Sequence, residues 1–470
     1  MKSNKSFNTE KSKRKMKQQV RYLKMNLILI LLFSAFQLGF SQVQNTDNKV
    51  QKLDADLKVK IIEEIVGLIE EKYVFTDDAK KITNYMQEKQ KEKAYDHITT
   101  LQGFIREITK DLRAVNNDAH LGLGTRRGSF KTGVSPEEMF KTIYLKRAPF
   151  QNYGFKKVDR LLGNVGCIVL DEFSYVEMDG ENVGGETARA VMKVISNSYA
   201  LIIDLRDNFG GREEMALLLL DYFFEKPTHI LTNQYRGRKD KQIRTKGEHA
   251  EGRLDEIPLY VLTSRHTISG GEMFAYVLKN RKRATIIGEK TRGAAHRTHL
   301  FSLQSAKIDI AIPVGTTIDP VTGTDWEGKG VEPDIAVSSG MAMDVAYKKA
   351  LEEIMQGDVD EMERNEIEWT LMEVEANVNP IILDESSLQE YVGVFGERKS
   401  TLEKGALIYQ REGQTVYELA PMSKDIFSFV DKGMFYVRIR FGRNELETID
   451  KMILIYDTGQ KREYSKTNDR

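Results

Sequence analysis

Two short stretches of this 470-residue chain combine residue types that could attack a carbonyl and stabilise what forms. In Leu262-Thr-Ser-Arg-His-Thr-Ile-Ser-Gly-Gly-Glu-Met-Phe-Ala275 an apolar strand ends and a polar loop crosses. Ser269 then falls immediately before an amphipathic run carrying Met273, Phe274, Val277 and Leu278. A hydroxyl at the start of a helix lies in the positive end of its dipole, where free backbone N–H groups can receive a developing oxyanion. Gly270 and Gly271 leave space for that approach. The same pattern also describes an ordinary helix N-cap, with Glu272 completing a capping box. The second stretch, Asp204-Leu-Arg-Asp-Asn-Phe-Gly-Gly211, follows the apolar Ala200-Leu-Ile-Ile. Its glycine pair permits a tight turn that exposes amide N–H groups to a ligand, or is simply a strand-to-helix turn. Each segment alone supports both readings.

Two further motifs follow in order, Ile287-Gly-Glu-Lys-Thr-Arg-Gly293 and Gly330-Val-Glu-Pro-Asp334. With them, the region from about 163 to 336 resembles the C-terminal processing and tricorn-type serine peptidase family, also called the tail-specific protease family. The resemblance implies a crotonase-like (ClpP/crotonase-type) α/β core and a serine nucleophile at Ser269. In the tail-specific branch a general-base lysine follows the last Gly of Gly-Glu-x-Thr-x-Gly. Here Gly293 is followed by Ala294 and Ala295. The branch of tricorn and the interphotoreceptor retinoid-binding protein instead draws a histidine from an Asp-x-His segment, matched by Asp118-Ala-His120. It also uses a Glu just before Gly-Val-x-Pro-Asp, a place occupied by Glu327.

The implied set is Ser269 attacking, His120 shuttling the proton and Glu327 orienting the imidazole. The Gly270 amide, with one from Gly210 or Gly211, would bind the oxyanion. Such a set is chemically coherent, because a serine hydroxyl is a weak nucleophile until a held base removes its proton. Histidine titrates near pH ~6.5, which suits base and then acid work near neutrality. The reaction implied is peptide hydrolysis through an acyl-enzyme, on unfolded segments or oligopeptides, with no cofactor. The rival is a non-catalytic ligand- or peptide-binding protein, since the same branch contains a carrier.

The remaining histidines read more plainly. His266 shares a loop with Ser269, and sequence neighbours rarely face each other productively. His97, His229, His249, His296 and His299 show no metal-like spacing. The last two, three apart in an expected strand, would point to opposite faces, so no metal site is expected. Cys167 is the single cysteine, which excludes an intrachain disulfide. Its setting, Val165-Gly-Cys-Ile-Val-Leu170, reads as a buried strand and makes it a small core residue.

These residues need a frame to hold them. Residues 1–24 carry nine Lys or Arg against one acid, and an apolar run from Leu27 to Leu38 ends in Gly39-Phe40-Ser41. That describes a signal peptide over 1–41, or an uncleaved anchor, and an exported chain, periplasmic or extracellular and possibly envelope-associated. The rest is mildly acidic, which gives no reason to expect nucleic-acid binding. Helical spacing of Ile61, Ile62, Ile65, Ile69 and of Phe104, Ile105, Ile108, Leu112 predicts an N-terminal helical region over 50–135, carrying His120. Short apolar strands at Val165–Leu170, Ala200–Asp204, Leu259–Leu262 and Ala284–Ile287 alternate with helices, predicting an α/β peptidase core over 136–345 with a largely parallel sheet. About forty-five residues separate His120 from Val165, fewer than the ~50 of a small domain, so no PDZ-type module is expected there. Short aromatic-rich runs over 386–470 predict an all-β, barrel-like module.

Overall fold

Isoleucines at helical spacing supply the first core. The computed structural model describes residues 53–118, 120–125, 136–178, 180–247, 254–434 and 436–467, so the expected signal peptide lies outside the described residues. The chain divides into two units, residues 1–129 with 298–312, and residues 130–297 with 313–470. In the first, helices α1 (Ala55–Lys72), α2 (Thr76–Lys91) and α3 (Leu101–Arg113) bury Ile61, Ile65, Ile69, Ile82, Phe104 and Ile108 against one another. Asp54 and Thr100 begin α1 and α3 by accepting from the N–H groups of Leu57 and Gly103 at 2.9 and 3.1 Å, which satisfies donors the helix cannot. The short strand β1 (Gly122–Thr125) follows and pairs antiparallel with residues 308–311.

In the second unit six strands form one sheet: β2 (Phe155–Leu161), β3 (Val165–Leu170), β4 (Ala200–Asp204), β5 (Leu259–Thr263), β6 (Thr285–Gly288) and β7 (Ile335–Ala336), in the order β7-β6-β5-β4-β3-β2. All neighbours are parallel except the edge pair of β2 with β3. Strands β4 and β5 are buried at every residue, as parallel strands covered on both faces must be. One face packs against α5 (Gly185–Val194), α6 (Glu213–Asp221) and α7 (Gly270–Asn280) through Ile203, Leu219, Phe274 and Val277. The other meets α8 (Ala342–Ile354) and α9 (Glu361–Val378) through Ile202, Leu262, Ala346 and Ile367. The architecture is mixed α/β, as the alternation of strands and helices predicts. No described helix is long and apolar enough to cross a membrane.

The C-terminal segment is all-β. Strands β8 (Gly393–Phe395), β9 (Arg398–Glu403), β10 (Ala406–Arg411), β11 (Val416–Ser423), β12 (Ile426–Phe429), β13 (Val437–Arg443), β14 (Ile449–Tyr456) and β15 (Lys461–Ser465) form a meander, each antiparallel to the next. Beyond β15, Thr467 N–H donates to the Val394 carbonyl at 2.8 Å and Lys466 bridges to Phe395. The sheet thus comes back on itself as a nearly closed barrel, which leaves little free edge.

The elements unread in the sequence include β2, the helix α4 (Pro136–Phe150), α9, and the strands Gly122–Thr125, His229–Tyr235 and Lys241–Arg244.

Phe274 is fully buried, its ring 5.5 Å from Phe173 and 6.3 Å from Phe223. Replacing it with Ala should cost the second unit about 3–5 kcal/mol. Urea unfolding followed by circular dichroism measures this, and a loss below about 1 kcal/mol would place the ring outside the core.

Candidate active site

Strand β4 ends in Asp204, whose carboxylate grips the Arg206 guanidinium through Nε at 2.9 Å and Nη2 at 2.7 Å. Arg206 Nη1 reaches on to the Ser339 carbonyl at 2.6 Å. The loop that follows is laced to the loop after β5. Thr267 Oγ1 donates to the Leu205 carbonyl at 2.7 Å, and Ile268 N–H to the Asn208 carbonyl at 3.1 Å. Asn208, fully buried, donates to the Leu170 carbonyl at 2.9 Å and accepts from Gly210 N–H at 2.8 Å. The motif Asp204-Leu-Arg-Asp-Asn-Phe-Gly-Gly211 is therefore a brace between two strand ends.

That brace presses Gly210 onto Ser269. A Cβ on Gly210 would lie 2.8 Å from Ser269 Cβ and 3.0 Å from Gly270 N, so only glycine fits. Gly211 has φ +128°, and a Cβ there would fall 2.1 Å from the Phe173 carbonyl oxygen. Of the two candidate oxyanion donors, Gly210 has already given its N–H to Asn208. Gly211 N remains, 3.2 Å from where a Gly270 Cβ would stand.

Ser269 itself has φ 55° and ψ −115°. An N-cap residue ordinarily has an extended backbone, and a non-glycine residue at this φ is strained. A hydroxyl on a sharp strand-to-helix turn of this kind is the geometry of a nucleophile elbow. The capping reading accounts for part of the segment, since the Glu272 carboxylate does accept from Ser269 N–H at 2.9 Å. It does more than cap. Fully buried, it also accepts from Thr291 Oγ1, Gly293 N–H and Ala294 N–H at 2.6, 2.5 and 2.8 Å. Burial raises its pKa above the ordinary carboxylate range, and these donors pull it part of the way back.

Glu327 follows Trp326, whose indole donates to the Ala294 carbonyl at 3.1 Å. Its carboxylate accepts from the N–H groups of Ala295 and His296 at 2.6 and 3.0 Å. The His296 ring is nearly buried, with Nδ1 3.7 Å from Glu327 and Nε2 3.8 Å from Asp325. By its spacing from His299, His296 is predicted at a strand position with the two rings on opposite faces. It lies just before the strand Arg297–Ser302, where alternation along a strand does not apply.

His120 belongs to the first unit. Its N–H donates to Asp118 Oδ1 at 3.0 Å, and Nδ1 lies 4.0 Å from the same oxygen. Asp118 is buried and accepts from the Tyr73 hydroxyl at 2.8 Å, whose pKa is pushed up by burial and by that carboxylate. His266 is exposed in the loop beside Ser269. Cys167 is buried in β3, and burial pushes its thiol up to about 11, so it stays protonated and unreactive near neutrality. The sequence places Glu272 only as a capping residue and gives Asn208 no role of its own, whereas in the fold both position the site. Each stands inside a recognised motif, but apart from the Thr291 hydroxyl their partners are backbone groups that sequence does not display.

Because the Glu272 pKa is higher folded than unfolded, its contribution to stability is full below about pH 4.3 and is lost as pH rises through the folded value. Glu272→Gln should flatten that decline, and lower stability overall by about 1–3 kcal/mol by leaving buried donors unpaired. Urea unfolding between pH 4 and 7 reads both effects. A slope identical to that of the unsubstituted protein would place this titration elsewhere.

Comparisons with known proteins bear on this region. Residues 164–337 match Peptidase family S41. Two staphylococcal proteins named "probable CtpA-like serine protease" are similar. That of Staphylococcus epidermidis is 24% identical over 50% of this chain and 43% of its own, and that of Staphylococcus aureus 26% over the same shares. The chain thus spans less than half the length of these curated relatives. A solved structure of a photosystem II D1 C-terminal processing protease is 14% identical with a TM-score of 0.41, covering 61% of this chain and 94% of that one. The braced loops, the strained serine and both flanking motifs all fall within residues 164–337, the stretch that matches the model of Peptidase family S41.

Proposed function

We propose that this chain is an exported serine peptidase, on a crotonase-like core of the tricorn type, that cleaves unfolded segments or oligopeptides in a periplasmic or extracellular space. The observation that carries the reading is the strained backbone of Ser269 (φ 55°, ψ −115°) at the N-terminus of α7, held against the Gly210-Gly211 loop. Packing alone has no use for a strained serine there, whereas a nucleophile gains exposure and oriented amides from it.

In this mechanism Ser269 Oγ attacks the scissile carbonyl carbon while His120 takes its proton. The oxyanion is received by Gly270 and Gly211 N–H, where loss of one donor costs about 3 kcal/mol. His120 then protonates the leaving amine as the C–N bond breaks, giving an acyl-enzyme and a free amine product. A water molecule deprotonated by the same imidazole hydrolyses the ester and restores Ser269. Glu327 orients the imidazole. The assignment of His120 rests on the Asp118-Ala-His120 motif and on the buried Asp118 beside it.

A second reading keeps Ser269 and Glu327 but takes His296 as the base. The contact favouring it is the His296 ring, with one nitrogen 3.7 Å from Glu327 and the other 3.8 Å from Asp325.

Labelling with a fluorophosphonate probe tests both. The folded protein should label, and Ser269→Ala should not. His120→Ala should lower the labelling rate at least a hundredfold, while His266→Ala and His296→Ala retain most of it. Loss in His296→Ala with retention in His120→Ala would establish the second reading. No labelling of the intact protein, beside a control hydrolase that reacts, would leave a binding protein on the same fold.

A further inference from the structure

The C-terminal barrel keeps a cation inside that the protein does not neutralise. Arg398, at the start of β9, is 7% exposed. Its guanidinium carbon lies 3.8 Å from the centre of the Tyr464 ring. Its Nε is buried with no hydrogen-bond partner, and no carboxylate lies within ion-pair distance of it among the described residues. Glu397, its chain neighbour, is taken by Arg411 Nη2 at 3.0 Å. Two other arginines of this module, one buried and one half-buried, differ. Arg443 is paired with Asp425 at 2.9 Å and Glu390 at 3.0 Å, and Arg438 donates to the Trp369 carbonyl with Glu373 at 3.5 Å. An uncompensated buried guanidinium is costly, and among the described residues of the barrel Arg398 is the exception.

Its surroundings are phenolic. Tyr409 stands two residues before Arg411, the residue opposite Arg398, and its hydroxyl lies beside the guanidinium, which offsets part of the upward pKa shift that burial imposes. Tyr456 and Tyr464 border the same end, and a second cation, Arg462, lies 5.5 Å from the Tyr456 ring. The ends of the barrel are unlike. At the far end the short helix Glu385–Leu388 and the turn Gln389–Tyr391 close it, with Tyr391 set 4.9 Å from Phe427 and 5.2 Å from Phe441. Phe395, Phe427 and Phe441 fill the space between. At the Arg398 end lie the hairpin turns after β8, β10, β12 and β14, with Val416, Val430 and Tyr436 exposed.

We propose that this end of the barrel binds a carboxylate, with Arg398 as the cation and Tyr409 as a further hydrogen-bonding group. A guanidinium fork matches a carboxylate in shape and charge. Because aromatic rings occupy the interior, the site accepts the head group while the attached chain stays at the mouth, against the exposed apolar residues. A peptide C-terminus fits that description better than a long-chain acid. The site is independent of the peptidase reading.

Isothermal titration of the full chain carrying Ser269→Ala, which prevents turnover, tests it with three probes: Ala-Ala-Leu-Ala-Ala-Phe with a free carboxyl terminus, the same peptide amidated, and octanoate. The free acid should bind, the amide at least tenfold more weakly. Arg398→Met should weaken the acid at least tenfold and Tyr409→Phe severalfold, each with its circular dichroism spectrum retained. Octanoate binding that needs Arg398 while the peptide fails would support the carboxylate site and assign it to small acids. Should Arg398→Met fail to fold, Tyr409→Phe and the acid–amide comparison decide. Equal binding of acid and amide, binding of no probe, or undiminished binding by a folded Arg398→Met would overturn the proposal.

Discussion

The site depends on one buried carboxylate. A serine at φ 55° and ψ −115° sits of order 1–3 kcal/mol above a relaxed backbone, so surrounding contacts must over-determine it. Glu272 supplies them from one side. By accepting from Ser269, Gly293, Ala294 and Thr291 together, it ties the loop after β5 to the loop after β6. Thr291 extends the tie, since its hydroxyl oxygen also accepts from Val331 N–H at 2.7 Å. Asn208 supplies the other side through Gly210 and Ile268. Each hydrogen bond contributes only about a kilocalorie per mole net. Their number, converging on one short turn, is what holds the strain, and it draws four motifs distant in sequence into one place.

Much of this architecture was legible in the residues. Strands β3 and β4 fall where continuous apolar runs bounded by glycine or charge predict them, because a parallel strand covered on both faces has no polar side to disguise it. The helices of the first unit announce themselves through isoleucine spacing. By contrast α9 hides among acids: its buried residues Ile367, Trp369, Thr370 and Val374 serve two different surfaces, so no single apolar stripe forms. Strand β2 hides because it is an antiparallel edge with a mostly solvated face. Within the site, residue types pointed to Ser269 and the glycine loop. Backbone torsion, and the capture of Gly210 N–H by Asn208, are consequences of folding that composition cannot express.

Helix α9 also explains why the barrel is not a loosely strung appendage. Ile367 and Val374 join the core beneath the sheet, while Trp369 packs on Ile453 and Ile455 of β14. One helix thus contributes to two hydrophobic cores, and displacing the barrel would expose apolar surface at both. The joint also holds a charge. The Arg438 guanidinium lies 3.7 Å from the Trp369 ring centre and donates to the Trp369 carbonyl. Burial lowers its pKa to about 10, which still leaves it protonated at neutral pH. A buried cation is tolerated when a ring face and a carbonyl replace the water it gave up, and both come here from a single residue. Any sliding of β13 along α9 would strip the guanidinium of both partners at once. The apolar contacts make the joint stable, and the charge fixes its register.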